Sequence, residues 1–180
     1  MKISCLLFIL LLSSGAINAQ NRAYNKQNLY VGAGMGFDYG GLGAKLEFLP
    51  IKHLGIFGGV GYNLLSVGWN VGGSFKLLPD KKVTPTLSAF YGYNGALKTE
   101  IIGPGLHFVE DYTSQGITFG GGVDIKFGRR GHKLTTSLLI PIREKDFRAK
   151  YNEVKDSPYF DIERKLLPIG ISVGLNFAVQ

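Results

Sequence analysis

Residues 166–180, at the end of the chain, alternate strictly. Ile169, Ile171, Val173, Leu175, Phe177 and Val179 fall on one side, and Gly170, Ser172, Gly174, Asn176 and Ala178 on the other. That period of two is a strand signature, with one apolar face and one face of small or polar groups. The segment is also long enough for a membrane-crossing strand, which needs about 9–11 residues. A fold must give this face either a core or a lipid to lie against.

The same pattern recurs upstream. Strands are expected at 29–39, 42–49, 54–64, 67–77, 83–95, 116–127 and 132–142, which with the last makes eight. Their apolar sides carry, among others, Leu29, Val31, Met35, Leu46, Ile56, Val60, Trp69, Val71, Leu87, Ile117, Leu138 and Ile140. Gly40-Gly41, Pro50 to His53, Pro79-Asp80-Lys81 and Gly128-Arg129-Arg130-Gly131 supply turn chemistry. Pro85 is the one residue that a strand interior resists. The stretches 96–115 and 143–165 read as long loops. In an up-and-down meander both emerge at one end, opposite the short turns at 50–53, 78–82 and 128–131. Short turns at one end and longer loops at the other is the plan of outer-membrane barrels.

The second face decides where the apolar one points. A lipocalin-like soluble barrel would hold it around a ligand and present the other face to water. On the third and eighth strands that other face has no Lys, Arg, Asp or Glu, only small residues, Asn and Phe57. A water-facing surface is far richer in charge, whereas a narrow eight-stranded lumen leaves room only for side chains to fill it. Glycine, 26 of 180 residues against an ordinary share of about 7 %, alternates with the large apolar residues. The aromatic residues Tyr39, Phe48, Tyr62, Trp69, Tyr91, Tyr93, Phe119, Phe127 and Phe177 lie mostly near strand ends on the apolar side, where interfacial girdles belong. The expected fold is all-β: an eight-stranded antiparallel up-and-down transmembrane β-barrel, apolar face outward to lipid.

The N-terminus reads as a cleaved secretory signal over 1–19. Lys2 is followed by an apolar run to Leu12 and small residues ending at Ala19. A polar leader, 20–27, precedes the barrel domain, 28–180. Cys5 is the sole cysteine and lies in the signal, so neither a disulfide nor a cysteine metal site is expected in the mature chain. The net charge of +7 comes from 20 Lys and Arg against 13 Asp and Glu. The basic residues are scattered, without the basic stripe that nucleic-acid binding requires.

With its closing Gly170-Ile171-Ser172-Val173-Gly174-Leu175-Asn176-Phe177 segment, the chain resembles the small eight-stranded outer-membrane β-barrels of Gram-negative bacteria, OmpA/OmpX-like. The resemblance spans residues 28–180 and the signal. It implies an outer-membrane location, contact with outer-membrane lipid and lipopolysaccharide, and recognition of the terminal strand (Val173, Leu175, Phe177) by the barrel-assembly machinery. Where family members often end on an aromatic residue, this chain continues with Ala178-Val179-Gln180.

Seven charges fall on the lumen side: Asp38, Lys45, Glu47, Lys76, Asp124, Lys126 and Lys133. In a narrow interior they are expected to pair as a structural polar network, the alternative being a solute path through it. A loop-borne lipid hydrolase would need His107, with Glu110, Asp111 and Ser114 nearby. Nothing there matches a known local motif, so no catalytic residue is assigned. No cofactor or metal is expected. The charged segment 143–165, with Phe147, Tyr151, Tyr159 and Phe160, is the expected surface for adhesion or a partner. The function expected is an outer-membrane protein with a structural or surface-interaction role through 96–115 and 143–165. A small-solute pore and a soluble periplasmic ligand-binding barrel are the alternatives.

Overall fold

Alternation along the chain becomes strand, and each strand finds its sequence neighbour. The computed structural model describes residues 28–63, 65–103, 106–143, 160–162 and 168–179, with the backbone alone over 97–103, 106–112 and 160–162. The expected signal and leader, and most of 143–165, lie outside the described residues. The strands are β1 (Leu29–Gly36), β2 (Gly41–Ile51), β3 (Leu54–Tyr62), β4 (Val67–Lys76), β5 (Val83–Gly103), β6 (Leu106–Phe127), β7 (His132–Pro141), β8 (Phe160–Ile162) and β9 (Gly170–Val179). All pairings are antiparallel. β9 lies between β7 and β1, and β4 pairs with β5, so eight strands close a barrel with β8 outside the ring.

Closure leaves no free edge in the ring, and the pleat sends alternate side chains in and out. On β9, Ser172, Gly174 and Asn176 are buried while Ile171, Val173, Leu175 and Phe177 are exposed. The apolar residues of the other barrel strands, such as Val31, Leu46, Ile56, Val71, Leu87, Ile117 and Ile140, are likewise exposed. The buried apolar cluster is small, just Phe57, Phe90 and Leu139 with Phe37 against it. The apolar face points out and the polar face in.

Three departures from the sequence-based expectation matter for the site. The first strand stops at Gly36 rather than running to 39, and Phe37–Tyr39 form one turn of 3-10 helix. Gly36 and Gly40 have φ of 137° and 72°, values open to glycine and costly for other residues. The chain therefore leaves the strand there and folds into the barrel mouth. Second, 96–115 is not a loop. β5 and β6 stay paired from Gly95↔Ser114 to Gly103↔Leu106, past a register shift at Tyr93/Gly95. β4 accompanies β5 only as far as Gly92, so the hairpin projects about 30 Å beyond the barrel wall. Third, the segment 143–165 contains a strand. β8 pairs with β5 at Thr99, Glu100 and Ile101, so the loop end carries a small sheet.

Candidate functional site

The lumen is filled in layers. Nearest the short turns, Glu47 on β2, Lys76 on β4, Asp124 on β6 and Lys133 on β7 form a closed square of alternating charge. Lys76 Nζ lies 2.9 Å from Glu47 and 2.8 Å from Asp124, and Lys133 Nζ is 2.8 Å from Asp124 and also bonded to Glu47. All four are buried. Two cations against two anions leave no net charge, which is what makes such burial tolerable. The remaining lone pairs are used as well. The Ser74 hydroxyl donates to Glu47 at 2.7 Å and the Thr135 hydroxyl to Asp124 at 2.7 Å. The Lys133 ammonium also sits over the Tyr30 ring, 4.7 Å from its centroid.

The inward turn supplies the second pair. Lys45 Nζ meets Asp38 at 2.5 Å, and Ser172 on β9 donates to the other oxygen of that carboxylate. Tyr39 is fully buried, its ring 4.2 Å above the Lys45 ammonium. Its hydroxyl lies 3.2–3.3 Å from the Asn176 amide, which donates to Thr135 at 2.9 Å. A hydrogen-bonded path thus runs from the inward turn through β9 and β7 to the square. Of the seven expected lumen charges, Asp38 and Lys45 meet at the inward turn, and Glu47, Lys76, Asp124 and Lys133 meet in the square. Lys126 is half-buried at the rim, where its ammonium donates to the Pro79 carbonyl.

Glycine makes the space for the turn. A Cβ at Gly59 would lie 2.2 Å from the Asp38 carbonyl oxygen, at Gly61 2.5 Å from that of Tyr39, and at Gly68 2.4 Å from that of Gly40. At Gly174 it would meet the Tyr39 hydroxyl at 2.1 Å. These glycines lie on β3, β4 and β9, so the socket reaches across the barrel. Sequence reasoning placed Tyr39 and Tyr93 in the outer girdle. The structure corrects this: Tyr39 is inside, and Tyr93 is partly buried and packs edge-on to Phe37 at 5.8 Å. The signal for the inward turn was present as the glycines that bracket Phe37–Tyr39.

Toward the loop end the polar groups are less well met. Among the described residues, Asn70 Oδ1, Asn94 Oδ1, Ser114 Oγ and Thr118 Oγ1 are buried without a hydrogen-bond partner, although the Asn94 amide donates to the Ile142 carbonyl at 3.1 Å. Beneath them Phe57 and Phe90 meet edge-to-face at 5.8 Å, with Leu139 alongside.

Outside, aromatic side chains mark both ends of the apolar band. Tyr62, Trp69 and Tyr91 are exposed toward the loops, and Phe48, Phe75, Phe127 and Phe177 toward the turns. On the terminal strand Val173, Leu175 and Phe177 all face outward. Phe177 packs edge-on to His132 at 5.4 Å, and the Ala178 N–H donates to His132 Nδ1 at 3.1 Å. At the turns, Lys52 and Asp80 form an exposed pair at 2.8 Å. The hydrogen bond from Lys52, with its charge, holds the Asp80 carboxyl below the ordinary range. His107, Glu110, Asp111 and Ser114 all lie on β6, with His107 and Ser114 seven residues apart, about 24 Å on an extended strand. Among the described residues no cluster of His, Cys, Asp and Glu is placed to hold a metal.

No protein-family model matches the chain, and no curated protein does. Among solved structures, the N-terminal β-barrel domain of Pseudomonas aeruginosa OprF overlaps 84 % of this chain and 98 % of its own, at 13 % identity and a TM-score of 0.45. The chain's own geometry gives the surface its meaning. A closed ladder with an apolar exterior and an ion-paired interior is the arrangement of a β-barrel that lies in lipid.

Proposed function

We propose that the protein is an integral barrel of a bacterial outer membrane, with its short turns toward the periplasm and its β5–β6 hairpin and β8 at the cell surface. The observation that carries this is the reversal of polarity. Leu42, Val67, Ile171 and their neighbours stand exposed in a continuous outer band while Glu47, Asp124, Lys76 and Lys133 are buried. In water this arrangement would expose far more apolar area than a soluble monomer carries. In hydrocarbon it satisfies every strand of the ring.

The role is structural or adhesive, exercised through the loop end. Strands that project well past a membrane offer backbone and side chains to partners while the ring below stays fixed. The small-solute pore is disfavoured by the contents of the lumen, where Tyr39, Phe57, Phe90, Leu139 and two sets of ion pairs occupy successive levels. The soluble ligand-binding barrel requires the apolar face to point inward, opposite to its observed direction. The outward face of Val173, Leu175 and Phe177 supports their reading as the strand presented to the assembly machinery.

Heat-modifiability tests the placement. In a purified outer-membrane fraction, the unboiled chain should migrate faster than the boiled chain on a denaturing gel. Extraction by carbonate with no such shift would refute the membrane reading.

A further inference from the structure

The turn end of the barrel carries exposed charge of mostly one sign. Lys52, Lys81, Lys82, Arg129 and Arg130 are all exposed, and among the described residues Asp80 is the one exposed carboxylate on these turns. Asp80 is already paired with Lys52. Four cations remain, with no ion pair among the described residues.

They are held close to one another by the backbone. The Lys126 N–H on β6 donates to the Lys82 carbonyl at 2.8 Å, and its ammonium donates to the Pro79 carbonyl. The Thr84 hydroxyl donates to the Leu78 carbonyl at 2.9 Å. The 77–82 turn is thus fastened to the strand that runs directly into the 128–131 turn. Like charges gathered this way repel one another, and a surface facing only water would be expected to mix its signs.

Their neighbours are apolar and point outward. Leu77, Leu78 and Val83 flank Lys81 and Lys82, Phe127 precedes Arg129 and Arg130, and all four are exposed. Cations at the margin of an apolar band sit at headgroup depth, where long side chains reach phosphate while their stems stay against hydrocarbon. An aqueous acidic partner would require no such adjacency.

We propose that the 77–82 and 128–131 turns together form a binding surface for the phosphate headgroups of anionic phospholipid, in the leaflet that meets the turn end. The surface rests on the membrane placement argued above. It gives the barrel a lipid preference at one rim only.

Brominated lipids read both placement and preference. The full chain carrying Trp69→Phe and Phe127→Trp has its single indole at the turn end, whereas the natural chain has its own at the loop end. Each is refolded into phosphatidylcholine vesicles containing equal mole fractions of brominated phosphatidylcholine or brominated phosphatidylglycerol. The turn-end reporter should show about a five-fold preference for the anionic lipid, the factor that one basic side chain supplies near an anionic surface. Trp69 should show none. Adding K81Q, K82Q, R129Q and R130Q should abolish the preference while quenching by brominated phosphatidylcholine persists. The double variants K81Q/K82Q and R129Q/R130Q should each lower it. A preference that survives all four substitutions, or none in the unsubstituted turns while phosphatidylcholine still quenches, overturns the proposal. If neither brominated lipid quenches either reporter, the membrane placement itself fails, and the lipid surface with it.

Discussion

Asp124 accepts from Lys76, Lys133 and Thr135 at once, and with Glu47 it balances the two lysines charge for charge. Asp124→Asn leaves one cation of the square uncompensated in a buried setting, a loss of about 3–5 kcal/mol. Thr118→Val acts in the other direction. It removes a buried hydroxyl that has no partner among the described residues, whose desolvation costs about 1–3 kcal/mol. Urea unfolding of the vesicle-inserted chain should therefore show a lowered midpoint for the first and a raised one for the second. Equal losses in both would mean that the square is no more important than any other buried polar group. The charges of this layer were legible in the sequence, because strand parity alone sends Glu47, Lys76, Asp124 and Lys133 inward. Their pairing was not. Which cation meets which anion depends on the stagger of β2, β4, β6 and β7 around the ring, and parity carries no information about stagger. Lys126 shows the same limit from the other side. It has the right parity, but its place beside the turn lets the side chain reach the Pro79 carbonyl.

Among the elements, the inward turn is the piece that a period of two could not foresee. Parity persists only while the backbone stays extended, and at Gly36 it does not, so Phe37 and Tyr39 exchange an outward reading for a place in the lumen. The extended β5–β6 hairpin was hidden for a different reason. Its stretch mixes polar, charged and apolar residues, because no lipid or packed lumen imposes two unlike faces on it. The socket for the inward turn gives a sharp test. Gly59→Ala sets a methyl against the Asp38 carbonyl oxygen, where the glycine's position would put Cβ at 2.2 Å. Backbone cannot yield cheaply, so either the turn is expelled or the barrel loses about 1–3 kcal/mol, as overpacking generally does. Gly121→Ala lies on the outer face with nothing within 4 Å and should be neutral or slightly stabilising, since glycine in a strand interior gives up about 0.5–1 kcal/mol to alanine. The midpoints of the two variants in the same vesicles provide the comparison. A Gly59→Ala chain as stable as Gly121→Ala would mean that the turn does not occupy the lumen.

For the molecule as a whole, the question is whether the barrel and its projecting hairpin are one cooperative unit. The ring is complete without the projection. β4 leaves β5 at Gly92, β7 leaves β6 at Thr118, and every strand up to those points has both neighbours. The inner ties, from Tyr39 through Asn176 and Thr135 to the square, also lie below that level. Beyond it the hairpin has β8 as its one described additional strand, across three residue pairs. Short ladders of this kind are marginal by themselves. Replacing residues 97–112 by an Asn-Gly turn should therefore leave the heat shift intact and move the unfolding midpoint by no more than the ~0.5 kcal/mol of an ordinary surface change. Surface binding, where an assay with cells or matrix detects it, should be lost with the hairpin. A large fall in stability would tie the projection into the barrel's own fold, and would make it a structural strut instead of a platform carried by one.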